Sequence, residues 1–183
     1  KLEYYKNQET PKYTRMLIYF ENGYQLAFVC RRKLGKVFLA EGIEEFQKEH
    51  SLGEDALELK EDEFLSLLDS KKGSIKGALT DQHLLAGIGN VYSDEMLYQC
   101  GIHPKSKTEQ LTEADKKQLF SKMRKVLEMA IEKEGERAEF PSDYLISHRK
   151  EGEDCPKCSG KIQKIKVSGR STYFCPSCQK EQK

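Results

Sequence analysis

The chain has 183 residues, and its 31 lysines and arginines nearly balance 30 acidic residues, which gives a formal net charge of +1. A chain of this length forms one large domain or two small ones, and a hydrophobic fraction of 37% is enough for a core. No apolar run approaches the roughly 18 residues that a membrane span needs, and the first residues do not resemble a signal peptide. The composition therefore predicts no membrane partner.

The charges are unevenly distributed along the chain. Residues 41–63 contain ten acids and two lysines, whereas residues 145–183 contain nine lysines and arginines and four acids. A near-neutral chain argues at first against a nucleic-acid partner, but the basic C-terminal segment leaves that partner open. Taken alone, such a segment is typical of a solvated surface.

The first forty residues predict β-structure. Residues 14–20 and 24–30 are rich in apolar and aromatic residues, and Asn22-Gly23 between them is a strong signal for a hairpin turn. Residues 36–40 continue the strand pattern. Residues 31–35, with the sequence RRKLG, combine three cations with one apolar residue and form either a solvated turn or a binding loop.

The middle of the chain predicts helices. Residues 41–69 are acidic and predict two short helices, the second of which includes residues 62–69. Further on, Asp81 is predicted to cap a short helix that reaches residue 86, and Asn90 to cap a second helix closed by Gly101. Backbone N–H groups at such a helix start are suited to a phosphate, although these residues taken alone favour Asn90 as only a cap.

A longer helix follows. Thr112 and Asp115 are spaced as a capping box, and apolar residues recur after them at helical intervals until Gly135. This stripe predicts a core-facing helix. Residues 140–150 then form a short connector to the C-terminal segment.

Four cysteines in the C-terminal segment predict a zinc site. Their spacing is C-x2-C, sixteen residues, and C-x2-C, which places two thiolates on each of two tight turns; the ligands are Cys155, Cys158, Cys175 and Cys178. Four protein ligands fill the tetrahedral shell, so the zinc is structural; the alternative is a pair of disulfides. Two short β segments flank residues 168–170, which predicts that Arg170 projects from a hairpin. Two further lone cysteines suit a reducing compartment.

These motifs together resemble those of the formamidopyrimidine-DNA glycosylase / endonuclease VIII family. Residues 75–82 (IKGALTDQ), 86–95 (AGIGNVYSDE) and 101–104 (GIHP) are similar to its helix–two-turn–helix. The zinc hairpin is similar to its C-terminal finger, and residues 32–35 (RKLG) resemble one of its DNA-facing loops. The similarity runs from about residue 16 to residue 178, in the order of the family.

The resemblance implies an α+β fold with three parts. These are a partial β-sandwich in residues 1–43, a helical helix–two-turn–helix DNA-binding domain in residues 44–150, and a four-cysteine zinc finger in residues 151–183. It also implies base-excision repair, in which a DNA glycosylase, a hydrolase and lyase, acts on oxidised bases. The expected partner is double-stranded DNA with damaged or abasic sites, in the cytoplasm or nucleoid.

The resemblance also assigns DNA contacts. In the family the damaged nucleotide is flipped out of the duplex. By position, Asn90 and Arg170 are expected to hold the flanking phosphates, and Lys76 to belong to the same phosphate-facing region. Arg32 is expected to enter the space that the base vacates, and Leu34 to act as a wedge where the family often has phenylalanine.

Two departures limit what the resemblance implies. The family begins with Pro-Glu, and its proline amine is the nucleophile, whereas this chain begins Lys1-Leu2-Glu3. No residue here is therefore assigned to catalysis, and the chain alone is expected to bind DNA without cutting it, as a monomer or completed by a missing N-terminal segment. The connector from residue 135 to 155 is short where several family members have a loop that covers an oxidised purine.

Two other functions are compatible with the motifs. One is a non-enzymatic, zinc-containing nucleic-acid-binding module that only docks onto phosphates. The other is a structural zinc ribbon with no nucleic-acid role, which the ordered combination of motifs disfavours.

Overall fold

The computed structural model describes residues 1–6 and 8–181, and its contacts divide the chain into two units that separate after Ile43. The first unit is a small sheet, and the second contains five helices and two short sheets among its described residues. The predicted α+β class, with a sheet, a helical region and a C-terminal hairpin, is confirmed. The domain limits 1–43, 44–150 and 151–183 stay predictions.

The first unit is a three-stranded antiparallel sheet. Its strands are β1 (Leu2–Lys6), β2 (Thr14–Tyr19) and β3 (Tyr24–Val29), in the order β1-β3-β2. The turn between β2 and β3 uses Gly23 at a φ of +80°, as the Asn-Gly signal predicts. Residues 36–40, which the sequence predicts to continue the sheet, form no strand. Both edges of β3 are already occupied by β1 and β2, so a further strand would have to extend an outer edge.

The second unit is mainly helical. Its helices are α1 (Ile43–Glu49), α2 (Glu61–Asp69), α3 (Ile75–Leu79), α4 (Asn90–Cys100) and α5 (Glu113–Glu132). Three single turns of 3-10 helix lie at Thr108–Gln110, Arg137–Glu139 and Leu145–His148. Two strands of two residues, β4 (Glu54–Asp55) and β5 (Leu85–Ala86), pair in parallel, and β6 (Gln163–Val167) and β7 (Arg170–Phe174) form an antiparallel hairpin.

The core of the second unit forms around α5. The predicted capping box is present, because the Thr112 hydroxyl accepts from the Asp115 N–H and the Asp115 carboxylate accepts from the Thr112 N–H. The apolar stripe of α5 is buried against α2 and α4, with these residues at its centre: Leu119, Met123, Val126, Phe64, Leu68, Met96 and Leu97. Burial of this stripe, rather than helix propensity alone, stabilises a helix of this length.

The start of the helix–two-turn–helix differs from the sequence prediction. The predicted helix over residues 81–86 is wrong: the helix lies earlier, at Ile75–Leu79, where the Ser74 hydroxyl caps it by accepting from the Gly77 N–H at 3.2 Å. Asp81 instead holds a turn by accepting from the His83 N–H at 3.1 Å. The prediction that Asn90 caps α4 is also corrected, since Gly89 is the N-cap and Asn90 the first helical residue.

Helix α4 ends against the zinc segment. Gly101 closes the helix in the left-handed region, with φ at +69°, and its carbonyl accepts from the Lys180 N–H at 3.0 Å. A Cβ at Gly101 would lie 3.2 Å from the carbonyl oxygen of Cys178. A side chain at Gly101 would therefore fit only if the last turn of the zinc segment moved slightly away from the end of α4.

Replacing Gly101 by alanine should destabilise the protein more than the same change at Gly152. Both residues have positive φ, but nothing lies within 4 Å of a Cβ at Gly152. Gly152→Ala should therefore cost only the left-handed penalty of about 1–2 kcal/mol, whereas Gly101→Ala adds the contact with Cys178. Urea denaturation of both zinc-loaded variants measures the difference, and equal losses would show that the α4 end tolerates a side chain.

Candidate nucleic-acid interface

The four cysteines of the zinc segment converge as the sequence predicts. Their sulfurs all lie within 4.8 Å of one another, and all six cysteines of the chain are free. The Sγ atoms of Cys155 and Cys178 are 3.7 Å apart, and those of Cys158 and Cys175 are 3.6 Å apart. A tetrahedron with Zn–S bonds of about 2.3 Å has sulfurs about 3.8 Å apart, so the donor set fits zinc. The prediction of a structural zinc site is confirmed.

The hairpin between the two cysteine pairs carries exposed cations on both of its faces. Its turn uses Ser168 and Gly169, both with positive φ, and pairs Val167 with Arg170. Lys164 and Lys166 are exposed on one face of the hairpin. Arg170 lies on the opposite face, which it shares with the buried Val167 and Thr172, and is itself exposed at the turn. Arg170 donates from Nη2 to the Thr80 carbonyl at 3.4 Å, so its guanidinium lies beside the turn that precedes α4.

The turn before α4 is held by one glutamine. The side-chain amide of Gln82 accepts from the Gly87 N–H at 3.2 Å and donates to the Ile88 carbonyl at 2.9 Å. Gly87 adopts a φ of +93°, which explains a glycine at this position. Gly89 is the N-cap of α4 and has no side chain that could accept a hydrogen bond. The first backbone N–H groups of α4 are therefore not capped by the residue that precedes the helix.

Asn90 joins the start of α4 to the zinc hairpin. Its Nδ2 donates to the Ser171 carbonyl at 2.9 Å, while its Oδ1 is buried without a hydrogen-bond partner in the described part of the chain. Asn90, Arg170 and the turn from Gly87 line one cavity of about 300 Å³. A guanidinium and an uncapped helix N-terminus around one cavity are an arrangement suited to an anion such as phosphate.

A buried carboxylate lies beneath this cavity. Asp94 is 1% exposed, and its Oδ2 accepts from the Tyr173 N–H at 3.1 Å and from Nη2 of Arg149 at 2.6 Å. Its Oδ1 accepts from Nζ of Lys76. One side chain of α4 thus binds α3, the connector and β7 together.

Lys76 differs from the role assigned to it by resemblance. The side chain is fully buried, and its ammonium bonds Asp94 and lies 3.4 Å from the Asn90 carbonyl rather than facing solvent. Burial lowers the pKa of Lys76, and the Asp94 carboxylate opposes this shift. A direct phosphate contact by Lys76 would require it to leave Asp94, so the structure places it as a support under Asn90.

Asp94 and Arg149 belong to this site but are not among the residues that the sequence predicts for it. Asp94 lies four residues after Asn90 and hence on the same face of α4, which is a signal that the sequence contains. Arg149 comes from the connector, 55 residues away, and its guanidinium also lies 5.0 Å from the ring centroid of Tyr173. No local pattern connects such distant residues.

Arg32 and Leu34 belong to the first unit. Both are exposed, with Leu34 at 72%, on a loop that folds back so that the Gly35 N–H donates to the Cys30 sulfur at 3.2 Å. Lys33 between them adopts a φ of +55°. Their placement near Asn90, on a DNA-facing side, stays a prediction.

Removing the charge of Asp94 should strongly destabilise the second unit. Asp94→Asn leaves Lys76 buried without a counter-charge, which costs about 3–5 kcal/mol. Adding Lys76→Met should restore part of that loss, because the orphaned ammonium is then gone. Asp154→Asn is the control, since Asp154 pairs with Lys161 at the surface and is 82% exposed, so it should cost no more than about 1 kcal/mol. Urea denaturation that gives equal losses for Asp94→Asn and Asp154→Asn would contradict the assignment.

Two family models match the chain. Residues 52–142 match the formamidopyrimidine-DNA glycosylase H2TH domain, and residues 152–180 match a zinc finger found in FPG and IleRS. These ranges contain Asn90, Asp94, Arg170 and all four zinc cysteines. None of the described helices has the length and hydrophobicity needed to span a lipid bilayer.

Curated relatives and solved structures agree with the family models. The chain is 34% identical to a formamidopyrimidine-DNA glycosylase of Synechocystis sp. over 95% of this chain and 66% of the relative. It is 35% identical to the enzyme of Mycoplasmopsis pulmonis over 96% of this chain and 68% of the relative. The chain thus spans about two thirds of the length of these relatives.

Among solved structures, the Lactococcus lactis Fpg in complex with abasic-site DNA superposes with a TM-score of 0.81 at 30% identity, covering 99% of this chain and 72% of the other. MutM in complex with DNA containing carbocyclic 8-oxo-G superposes with a TM-score of 0.80 at 29% identity, covering 99% and 71%. The chain belongs to the formamidopyrimidine-DNA glycosylase family.

Proposed function

We propose that this chain is the DNA-binding portion of a base-excision repair glycosylase and abasic-site lyase that acts on oxidised bases. The observation that carries the proposal is the convergence of Asn90 and Arg170 on one cavity at the uncapped start of α4. Relatives of this family are solved on DNA with abasic sites and with 8-oxo-G. A partner of this kind is met in the cytoplasm or nucleoid.

The proposed binding step is the capture of a backbone phosphate in this cavity. Arg170 offers guanidinium N–H groups that fit two phosphate oxygens, and the first N–H groups of α4 add donors with the positive end of the helix dipole. Asn90 has a second amide hydrogen besides the one that bonds Ser171. Contacts of this kind position a duplex and do not read its sequence.

Lys76, Asp94 and Arg149 have a supporting role in this proposal. Their buried cluster fixes the carbonyl of Asn90 and the backbone of Tyr173 relative to each other. The two donors for phosphate, one on a helix and one on a hairpin, are therefore held in place before DNA arrives. Such preorganisation lowers the entropic cost of binding.

Arg32 and Leu34 are proposed to act at the flipped nucleotide. An exposed cation and an exposed apolar side chain on one short loop are suited to fill the gap that a flipped base leaves, and flipping costs a few kcal/mol that such contacts help offset. Leucine is a wedge that stacks less well than phenylalanine. The short connector before Cys155 favours no particular oxidised base.

Replacing Arg170 should weaken binding to all DNA sequences alike. Arg170→Ala should lower the slope of log affinity against log salt by about one, because one phosphate contact is lost. Arg170→Lys should restore binding only in part, since lysine keeps the charge but lacks the planar fork. Lys125→Ala is the charge-matched control, because Lys125 is exposed on α5 and does not line the cavity. Fluorescence anisotropy over a salt series measures these effects, and equal slopes for Arg170→Ala and Lys125→Ala would argue against the phosphate role.

The lesion loop can be separated from the phosphate site in the same assay. Arg32→Ala and Leu34→Ala should reduce affinity for abasic-site duplex more than for intact duplex, whereas Arg170→Ala should reduce both. Lys36→Ala removes a charge from the same exposed segment and serves as the control. If Arg32→Ala and Lys36→Ala weaken both duplexes equally, the loop is only a cationic patch.

The chain of 183 residues should bind abasic DNA without efficient cleavage. The proline amine and glutamate of the family have no counterpart in it, and covalent catalysis needs an unprotonated amine held against the sugar. Borohydride trapping on abasic and oxidised-base duplexes tests this expectation. Efficient trapping or base release by these residues alone would show that a catalytic amine lies among them.

A further inference from the structure

One side chain reaches the zinc site from the DNA-binding helix. The hydroxyl oxygen of Tyr98, two residues before the end of α4, lies 3.1 Å from Sγ of Cys155. Tyr98 is 2% exposed, so water does not compete for this contact. Gly160 also donates to a zinc cysteine, from its backbone to Cys158 at 3.3 Å. Gly160 belongs to the zinc segment itself (residues 152–180), whereas Tyr98 donates to a zinc cysteine from outside that segment.

The chemistry of the two groups sets the direction of this hydrogen bond. A cysteine that binds zinc is a thiolate and has no proton to give, whereas a phenol has one. Four thiolates around one Zn²⁺ carry a net charge of −2, so a buried hydroxyl that donates to one sulfur offsets part of this charge. In a site of low dielectric such a bond to an ionised group is stronger than a bond between neutral groups.

The packing around Tyr98 holds the hydroxyl in this position. Its ring is buried in a small cluster with Leu145, Ile162 and the zinc cysteines Cys155 and Cys175. The ammonium of Lys157, between the first two zinc cysteines, lies 4.7 Å from the ring centroid and donates to the side chain of Gln99 at 2.6 Å. Two consecutive residues of α4 therefore contact the first turn of the zinc segment.

We propose that Tyr98 is an outer-shell residue of the zinc site, whose hydroxyl donates to the Cys155 thiolate and retains the metal. Outer-shell hydrogen bonds orient ligands and change metal affinity by about 10–100-fold when removed. The bond also makes α4 part of the metal site, so the helix that carries Asn90 is tied to zinc directly. The proposal does not depend on DNA binding.

The test is the rate at which zinc is lost. Tyr98→Phe keeps the ring and its packing and removes only the hydroxyl. Zinc-loaded Tyr98→Phe should release zinc to 4-(2-pyridylazo)resorcinol about tenfold faster, or more, than the unsubstituted chain. Tyr173→Phe is the matched control, because Tyr173 packs against the same cluster, whereas the hydroxyl that contacts a zinc cysteine among the described residues is that of Tyr98. It should release zinc at the unsubstituted rate.

Two outcomes would overturn the proposal. One is a Tyr98→Phe protein that is folded, binds one equivalent of zinc and releases it as slowly as Tyr173→Phe does. If Tyr98→Phe does not fold, the unsubstituted chain loaded with ¹¹³Cd provides the second measurement. A proton–cadmium correlation from a slowly exchanging tyrosine hydroxyl supports the bond through Cys155, and a folded cadmium protein without one overturns it.

Discussion

The pairing of helix α4 with the outer edge of strand β7 is the interaction on which the candidate site depends. Every fourth residue of α4 from Asn90, namely Asp94 and then Tyr98, faces the zinc segment, and Asn90 and Asp94 bond the backbone of Ser171 and Tyr173. Four helical residues rise about 6 Å, and two strand residues about 6.6 Å, so the two repeats nearly match. Helix side chains thus satisfy a strand edge that would otherwise lack partners.

Three groups donate hydrogen bonds to the carboxylate of Asp94, and their number explains why an acidic residue stands at this position. Backbone N–H of Tyr173, the guanidinium of Arg149 and the ammonium of Lys76 all point at one buried carboxylate. A neutral amide could accept at one oxygen only and would place its own N–H₂ against a cation. Once α3, the connector and β7 all direct donors to one point, an ionised acid is the group that satisfies them.

Features that depend on residues close together in the chain could be predicted from the sequence, whereas features that depend on distant residues could not. The Asn22-Gly23 turn, the Thr112 capping box and the cysteine spacing each depend on residues close in the chain, and the structure has all three. The misplaced helix at residues 81–86 shows the limit, because Leu85 and Ala86 pair with a strand about thirty residues earlier. Lys76 shows it again: a lysine is expected at the surface, and its burial depends on Asp94 and Arg149, which no local pattern links to it.

The zinc site and the cavity at Asn90 are coupled through the same two elements. A lone two-stranded hairpin is marginal in water, so the metal is what keeps the edge of β7 available to α4 and Arg170 beside the Thr80 carbonyl. In the proposed function, a phosphate in the cavity favours the same arrangement of α4 and β7 that zinc favours. Linkage then requires that each ligand increases the affinity of the other. Under the proposed function, zinc contributes to DNA binding without touching DNA, and bound DNA slows the loss of zinc.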